Sequence, residues 1–254
     1  MPFLYENTIQ NTRYAVWEVA ESSAFFIENL PSSFIENNSE YAGISHEKIK
    51  IQWLASRFLW YKMTSENPDF FVEKDAFGKP YLCESALHYS VSHSGAFVAV
   101  VESDTFCGID IQIPTLTIDK IAHRVMHESD WRELERHGLD TTLFWSAKEA
   151  IFKAWTVGGL AGKNIRLHGF SQKQTMKLET EETQTNSIEI NNIQTKDTQA
   201  ESIRAGQLLL HEAAGSVVLD EEKKATYTIF YEKNAAFTLA IAIKQVNLSY
   251  YQKY

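Results

Sequence analysis

The spacing of apolar side chains first indicates a helix at residues 49–63. Within this segment, Leu54, Phe58 and Tyr61 follow one another at spacings of four and three residues, about one helical turn, and Trp53 is adjacent to Leu54. Side chains with this spacing fall on or near one face of an α-helix. The segment is therefore predicted to be a helix that packs this face against a core.

A helical period returns later in the chain, at residues 118–138 and again at residues 141–157. The second of these segments is followed by Gly158 and Gly159. Glycine is common just beyond the last turn of a helix, because it adopts left-handed backbone conformations without a steric penalty. The second helix is therefore expected to end at this glycine pair.

The part of the chain before these two helices carries residues that are typical of strands. Residues 89–102 are predicted to form a hairpin that bends near Ser94 and Gly95, and residues 108–113 to form another short strand. Residues 77–80 (FGKP) combine glycine with proline, which favours a turn before the hairpin.

Two further segments bear on how the chain is organised. Residues 171–202 are rich in Thr, Gln, Asn and Glu and poor in aromatics, so they are predicted to be a variable surface excursion with at most a short strand at 187–190. Residues 228–243 repeat the order of the hairpin at 89–102: strand, polar turn, Ala-Phe and a second apolar strand. Chance or a shared hairpin propensity explains this similarity as well as a true repeat does.

Composition narrows the class of protein. Of 254 residues, 44% are hydrophobic and 22% are charged, which is typical of a globular protein with a sizeable core. The 24 basic and 33 acidic residues give a net charge of −9, which argues against nucleic-acid binding by phosphate neutralisation. The longest purely apolar stretch, residues 96–101, is too short for a membrane helix.

The first ten residues have neither a basic start nor an apolar run, so we expect no export signal. Cys83 and Cys107 are too few for a disulfide framework in a chain of this length. These features favour a cytoplasmic protein, and we expect it to be a monomer that has neither a membrane nor a nucleic acid as partner.

Two carboxylates and a lysine are candidates for chemistry. Asp110 lies between Ile109 and Ile111 in a predicted strand, so alternation places it on the opposite face from both. Glu149 and Lys153 lie one turn apart on a predicted helix. Hard oxygen ligands of this kind suit magnesium, which often also binds substrate phosphates. Spacing alone, however, favours a helical ion pair of Glu149 with Lys153 and an unrelated Asp110.

Four motifs, taken together and in order, favour the chemical interpretation. They are residues 77–80 (FGKP), 90–94 (SVSHS), 108–111 (GIDI) and 145–153 (WSAKEAIFK). The region from about 49 to 160 thereby resembles the 4′-phosphopantetheinyl transferases of the larger, surfactin-synthetase-activating type. The motifs of that family read GKP, (F/I)-x-(I/V)-S-H-S, G-(I/V)-D-(I/V)-E and W-(S/T)-x-K-E-(A/S)-x-x-K.

The resemblance implies an α+β fold, a pseudodimer of two similar α/β halves with coenzyme A and the active site in the cleft between them. It places the N-terminal half at residues 1–107 and the C-terminal half at residues 108–254. The implied reaction moves the 4′-phosphopantetheine arm of coenzyme A to a serine of an apo acyl or peptidyl carrier protein and releases 3′,5′-ADP. The alternative is a catalytically weak or inactive coenzyme A-binding relative with a regulatory or scaffold role.

Roles are carried over from the family residue by residue. Asp110 and Glu149 resemble its magnesium ligands, and Lys153 resembles the cation that reaches the phosphates of coenzyme A. The positions that resemble its contacts to the nucleotide end are Arg57, Lys79, Ser92 and His93. Glu149 is also the candidate for accepting the serine proton, although a carboxylate bound to a cation is less basic.

Some positions depart from the family pattern. Gln112 replaces the second acidic residue of G-I-D-I-E, so we do not expect three carboxylates at the metal. The amide oxygen of Gln112 can still coordinate magnesium or hold one of its waters. For the family's basic residues upstream of Arg57 there is no clear match, and Lys48 and Lys50 both stay open.

Three other motifs are incomplete. Residues 158–164 (GGLAGKN) lack the first glycine and the Ser/Thr of a P-loop. His123 and His127 lack the glutamate of a zinc protease motif. Ser92 and His93 lack a nucleophile elbow and an acid partner.

The basic residues of 118–137, including Arg124 and Arg132, are expected to attract an acidic carrier protein.

Overall fold

The computed structural model of the protein describes residues 3–36, 38–64, 72–76, 78–83, 85–155, 160–175, 209–219 and 222–245. Within these ranges the chain contains both helices and antiparallel sheets. The predicted α+β class is therefore confirmed.

The strands are β1 (Phe3–Ile9), β2 (Thr12–Glu18), β3 (Val72–Lys74), β4 (Pro80–Leu82), β5 (His88–Ser94), β6 (Phe97–Ser103), β7 (Cys107–Gln112), β8 (Ile165–Thr175), β9 (Leu209–Leu219), β10 (Glu222–Lys233) and β11 (Thr238–Lys244). The helices are α1 (Ser23–Asn29), α2 (Ser39–Ala42), α3 (Glu47–Met63), α4 (Leu116–Val125), α5 (Glu128–His137) and α6 (Thr141–Ala154).

Most of the strands form two antiparallel sheets. The first has four strands in the order β1-β2-β6-β5, and the second has five in the order β7-β11-β10-β9-β8. Strands β3 and β4 form a separate two-stranded ribbon. Strand β5 is the last strand of the first sheet and β7 the first strand of the second, so these two edges carry backbone groups that need partners from outside their own sheets.

The two sheets pack face to face, and helices cover their outer faces. In β6, Val98 and Val100 pack with α3, whereas Ala99 and Val101 pack with the second sheet. In β11, alternate residues divide in the same way between α6 and the first sheet. Both faces of the central strands are buried, which explains why residues 97–103 are apolar almost throughout instead of alternating.

Several predicted elements agree with the structure. The helix predicted at 49–63 is α3, which begins two residues earlier, at Glu47. The hairpin predicted at 89–102 consists of β5 and β6, with its turn at Gly95 and Ala96, one residue later than predicted. The strand predicted at 108–113 is β7, shifted by one residue.

The helical segment predicted at 118–138 is wrong in one respect, because it is two helices. Met126 has an extended backbone, and α5 starts afresh after His127. The side chain of His127 accepts the Ser129 N–H, while the Asp130 carboxylate accepts the His127 N–H. This reciprocal capping satisfies the free N–H groups of the first turn and specifies a helix start there.

Two predicted boundaries also differ. Helix α6 ends at Ala154, because Trp155 is already extended; Gly158 and Gly159 lie outside the described residues. The excursion predicted from residue 171 begins later, since β8 continues to Thr175 and pairs there with β9. Residues 176–202, with the short strand predicted at 187–190, lie outside the described part of the chain.

Among the described residues, no helix combines the length and the apolar character needed to cross a lipid bilayer.

Candidate active site

Asp110 lies at the centre of the site, in the middle of β7 and 6% exposed. Its Oδ1 accepts hydrogen bonds from the Lys153 ammonium at 2.8 Å and from the Ser92 hydroxyl at 2.9 Å. Its Oδ2 is buried and accepts no hydrogen bond from any described residue. A buried carboxylate oxygen without a partner is costly, so this atom points to a ligand that the polypeptide does not supply.

Helix α6 reaches Asp110 because it crosses β7 at unusually short range. A Cβ on Gly108 would lie 2.0 Å from the carbonyl oxygen of Ala150 and 2.7 Å from the backbone nitrogen of Ala154. Only glycine permits such contact between two backbones. The crossing brings Lys153 close enough to donate to the carbonyl of Ile109 at 2.9 Å as well as to Asp110.

Glu149 lies one turn before Lys153 on the same helix and is half-buried. Among the described residues it has neither a hydrogen bond nor an ion pair within 4 Å. Burial raises the pKa of Glu149, the charge of Asp110 raises it further, and Lys153 opposes both effects. Two nearby carboxylates that repel one another are what a divalent cation would stabilise.

The donor set fits magnesium. The described residues contain no group of three or more His, Cys, Asp or Glu side chains placed to hold a metal. A site with two carboxylates suits an ion that fills its remaining positions with water and phosphate oxygens. Gln112 turns its amide nitrogen to the carbonyl of Ile113 at 3.3 Å. An amide coordinates a metal through its oxygen, so any contribution of Gln112 to the metal site would come from that atom.

A cavity of about 320 Å³ opens between α3, the β3–β4 ribbon and β5. Arg57, 6% exposed, lies at its wall with its guanidinium carbon 3.4 Å from the centre of the Trp53 ring. Stacking on an aromatic ring holds the planar guanidinium in a fixed orientation. The cavity is lined by Glu40, Ile44, Ile49, Gln52, Trp53, Ser56, Arg57, Val72, Lys74, Gly78, Pro80, Tyr89, Val91 and His93.

Glu40 lies between two cations of this cavity, and neither Glu40 nor Lys74 belongs to a motif that the sequence pattern indicates. Its carboxylate accepts from Arg57 at 3.2 Å and from Lys74 at 2.5 Å. Burial alone would raise the pKa of Glu40, but the Lys74 and Arg57 cations hold it below its ordinary value. The carboxylate of Glu40 therefore occupies a position between two cations that would also suit a phosphate group.

His93 connects the cavity to Asp110. It lines the cavity, and it lies within electrostatic range of Lys153, Asp110 and Lys48. Desolvation, followed by the charge of Lys153, lowers the pKa of His93, which favours the neutral imidazole at neutral pH. The sequence leaves both Lys48 and Lys50 as candidates for a basic contact upstream of Arg57. Lys48 is close enough to His93 to lower its pKa, whereas Lys50 lies over the ring of Tyr41.

The remaining two sequence candidates are placed differently from one another. Lys79 lies between two cavity-lining residues, Gly78 and Pro80, but its ammonium is within electrostatic range of Cys107 and His88. Ser92 is 6% exposed and turns its hydroxyl to Asp110. The nucleotide contacts expected of both residues stay predictions.

A buried ion pair anchors α6 to the elements packed against it, and the sequence pattern does not predict this pair. Lys148 and Asp130, 3% and 0% exposed, form a salt bridge at 2.6 Å. The Lys148 ammonium also donates to the carbonyls of Val125, Gly162 and Ile165. Burial lowers the pKa of Lys148 and the charge of Asp130 opposes this. The pair joins the helix that carries Glu149 to α4, α5 and β8.

Comparison with known proteins identifies similar sequences. Residues 106–218 match the 4′-phosphopantetheinyl transferase superfamily. The 4′-phosphopantetheinyl transferase gsp of Aneurinibacillus migulanus is 25% identical over 138 residues, which cover 50% of this chain and 58% of that protein. A Haemophilus influenzae protein, provisionally named a 4′-phosphopantetheinyl transferase, is 28% identical over 113 residues, 40% of this chain and 47% of that protein. This chain spans about half the length of these curated relatives.

Proposed function

Because residues 106–218 match the 4′-phosphopantetheinyl transferase superfamily, we propose that this protein transfers the 4′-phosphopantetheine arm of coenzyme A to a serine of an apo carrier protein. The observation that carries the proposal is the convergence of Asp110, Glu149 and Lys153, with Asp110 Oδ2 buried and unpaired among the described residues. Asp110 and Glu149 would hold magnesium there.

The same proposal covers the organisation of the chain. The strands of the first sheet all precede Cys107, and the second sheet starts with β7. This division supports two halves at residues 1–107 and 108–254, related as a pseudodimer. We further propose that the protein acts as a monomer in the cytoplasm, without nucleic acid or a membrane as partner.

In the proposed reaction, the serine oxygen of the carrier attacks the β-phosphorus of coenzyme A, and the bond from that phosphorus to the bridging oxygen breaks. The products are the holo carrier protein and 3′,5′-ADP. Magnesium, when bound, supplies positive charge to the pyrophosphate. Glu149, which is half-buried, accepts the serine proton, and Lys153 adds positive charge beside the departing phosphate.

The cavity at Arg57 is proposed to hold the nucleotide end of coenzyme A. It contains two cations, an aromatic ring and a histidine that lies toward Asp110, so a nucleotide there would extend its pyrophosphate toward the metal site. The 3′-phosphate would replace the Glu40 carboxylate between Arg57 and Lys74.

Substitutions at Arg57 and Glu40 are expected to change coenzyme A affinity in opposite directions. Arg57→Leu removes a charge-assisted contact and should raise the dissociation constant by about 10- to 100-fold. Glu40→Gln removes a competing carboxylate and should lower it by about threefold or more. Isothermal titration of each folded variant with coenzyme A measures both effects, and weaker binding by Glu40→Gln would show that Glu40 instead orients Arg57.

The carrier protein is proposed to dock on α4 and the neighbouring surface of α5 and α6. Arg124 and Arg132 are exposed there, and Arg132 forms an exposed ion pair with Glu128. Leu116, 77% exposed, and Phe152, 49% exposed, add apolar surface. Exposed cations and exposed apolar side chains on these helices suit an acidic carrier with an apolar contact residue.

Reversing both arginines, Arg124→Glu with Arg132→Glu, should raise the KM for the carrier by about tenfold and weaken its salt dependence, because the steering charge is lost. The KM for coenzyme A should not change. Lys62→Glu with Lys224→Glu is the matched control, since it alters net charge equally at exposed positions away from α4 and α5. An equal rise in KM in the control would assign the effect to net charge instead of to docking.

The direct test of the function incubates the protein with coenzyme A, magnesium and several apo acyl and apo peptidyl carrier proteins. Mass spectrometry should then show the addition of one phosphopantetheine arm to a carrier serine, and EDTA should abolish it. Absence of addition to every carrier would contradict the transferase activity. Coenzyme A binding without transfer would favour the alternative, an inactive coenzyme A-binding relative.

A further inference from the structure

Three alternate residues of β5 are serines, although β6, its neighbour in the sheet, is mostly apolar. Ser90, Ser92 and Ser94 occupy every second position, and all three project toward the edge strand β7 of the other sheet. We name these three residues the serine ladder. Strands β5 and β7 are neighbours in space but belong to different sheets, so their backbones are not paired with one another.

Each serine of the ladder accepts one backbone N–H from the β7 edge. The Ile109 N–H donates to Ser90 Oγ at 3.3 Å, and the Ile111 N–H donates to Ser92 Oγ at 3.2 Å. The Ile113 N–H donates to Ser94 Oγ at 3.1 Å. The ladder thus takes the place of the backbone carbonyls that a neighbouring strand would supply.

Ser92 differs from its neighbour Ser90 in one contact. A hydroxyl that accepts an N–H still has its own proton to donate. Ser92 donates this proton to Asp110 Oδ1 at 2.9 Å, the same oxygen that accepts from Lys153. Ser90 and Ser92 are both buried, 2% and 6% exposed, and both satisfy a β7 N–H, so they form a natural matched pair.

We propose that Ser92 is a positioning residue for the metal-binding carboxylate, an inference that rests on the proposed function. Two donors on Oδ1 fix the rotation of the Asp110 carboxylate about its Cβ–Cγ bond. Oδ2 is then the oxygen presented to the cation. Ser92 also accepts the Ile111 N–H, so its own position depends on how β5 packs against β7. The orientation of Asp110 therefore depends on the same packing.

This role differs from the nucleotide contact that the family resemblance implies for Ser92. A serine that contacted only the nucleotide would affect coenzyme A affinity and leave metal binding by the free protein unchanged. A positioning serine would affect metal binding in the absence of coenzyme A. Partners of this kind around a metal ligand typically change metal affinity by about 10- to 100-fold.

The test measures Mn²⁺ binding to the full-length protein by electron paramagnetic resonance, without coenzyme A. Ser92→Ala should weaken binding by about tenfold or more. Ser92→Thr keeps the hydroxyl and should restore affinity to within about threefold of the original protein. Ser90→Ala should leave the affinity unchanged, while Ser90→Ala and Ser92→Ala lower the melting temperature by similar amounts because each leaves one β7 N–H without its acceptor.

Equal Mn²⁺ affinity in Ser92→Ala and the original protein would overturn the positioning role and leave the proposed function standing. An equal loss in Ser90→Ala would also overturn it, because the effect would then come from the seam between the sheets alone. If the original protein bound no Mn²⁺, the metal site itself would be wrong and the inference would fail with it. If Ser92→Ala is too unstable to measure, Ser92→Cys takes its place in the comparison. Cysteine is a weaker hydrogen-bond donor than serine, so this variant should bind Mn²⁺ with intermediate affinity.

Discussion

Glutamine in place of Glu149 is expected to slow arm transfer by about 10²- to 10⁴-fold, the usual contribution of a positioned acid or base. Glutamine has the same shape but neither accepts the serine proton nor contributes a charge to the magnesium site. Among the described residues Glu149 makes no hydrogen bond, so the substitution should leave the thermal stability nearly unchanged. Single-turnover transfer to an apo carrier, followed by mass spectrometry, measures the loss.

The pH dependence gives a second measure of the same substitution. Burial and the charge of Asp110 raise the pKa of Glu149, so the protonated, inactive form persists to higher pH than for an ordinary glutamate. The rate at limiting magnesium should therefore rise as the pH increases through this raised pKa. Glu149→Gln should lack this rise. A variant that kept both its rate and its acid limb would exclude Glu149 from the reaction.

Replacing Lys148 by methionine is expected to lower the free energy of unfolding by about 3–5 kcal/mol, the usual cost of leaving one member of a buried ion pair alone. Asp130, 0% exposed, would lose its only buried counter-charge among the described residues. The carbonyls of Val125, Gly162 and Ile165 would also lose a donor. Urea unfolding followed by tryptophan fluorescence measures the change.

Two variants separate the buried charge from other effects. Lys148→Met combined with Asp130→Asn removes both charges, so it should be more stable than Lys148→Met alone. The asparagine has one accepting oxygen, so it keeps one of the two backbone N–H groups, those of His127 and Leu167, that Asp130 accepts on separate oxygens. Arg132→Met breaks an exposed pair and should change stability by less than about 1 kcal/mol. A loss in Lys148→Met as small as that of Arg132→Met would show that the buried pair is energetically neutral.

The sequence predicted those parts of the structure that depend on local pattern or on motif residues. The apolar period of 49–63 predicts a helix correctly because one face of α3 packs on the first sheet, and that packing requires apolar residues at helical spacing. Asp110, Glu149 and Lys153 were identified through motifs, and spacing alone favoured an unrelated aspartate. Their convergence depends on α6 crossing β7 at Gly108, a tertiary contact that no local period contains.

Other parts depend on contacts between distant residues and left little trace in the pattern. Glu40 lies 34 residues before Lys74, and the two meet only because the β3–β4 ribbon folds against α2. The apolar spacing continues across Met126, so it does not reveal the helix break there. The break is specified by the capping groups of His127 and Asp130. The serine ladder is visible in the sequence as serine at positions 90, 92 and 94. The role of these serines cannot be predicted from that pattern, because it depends on the N–H groups of a strand in the other sheet.

The close crossing at Gly108 also bears on how this protein can diverge and be engineered. Contact between two backbones sets the height of α6 above β7, with no side chain as a spacer. Substitutions among the apolar core residues therefore have little leverage on the separation of Asp110 from Glu149. We expect the proposed docking surface around Leu116 to tolerate redesign toward new carriers without a change in the separation of Asp110 from Glu149.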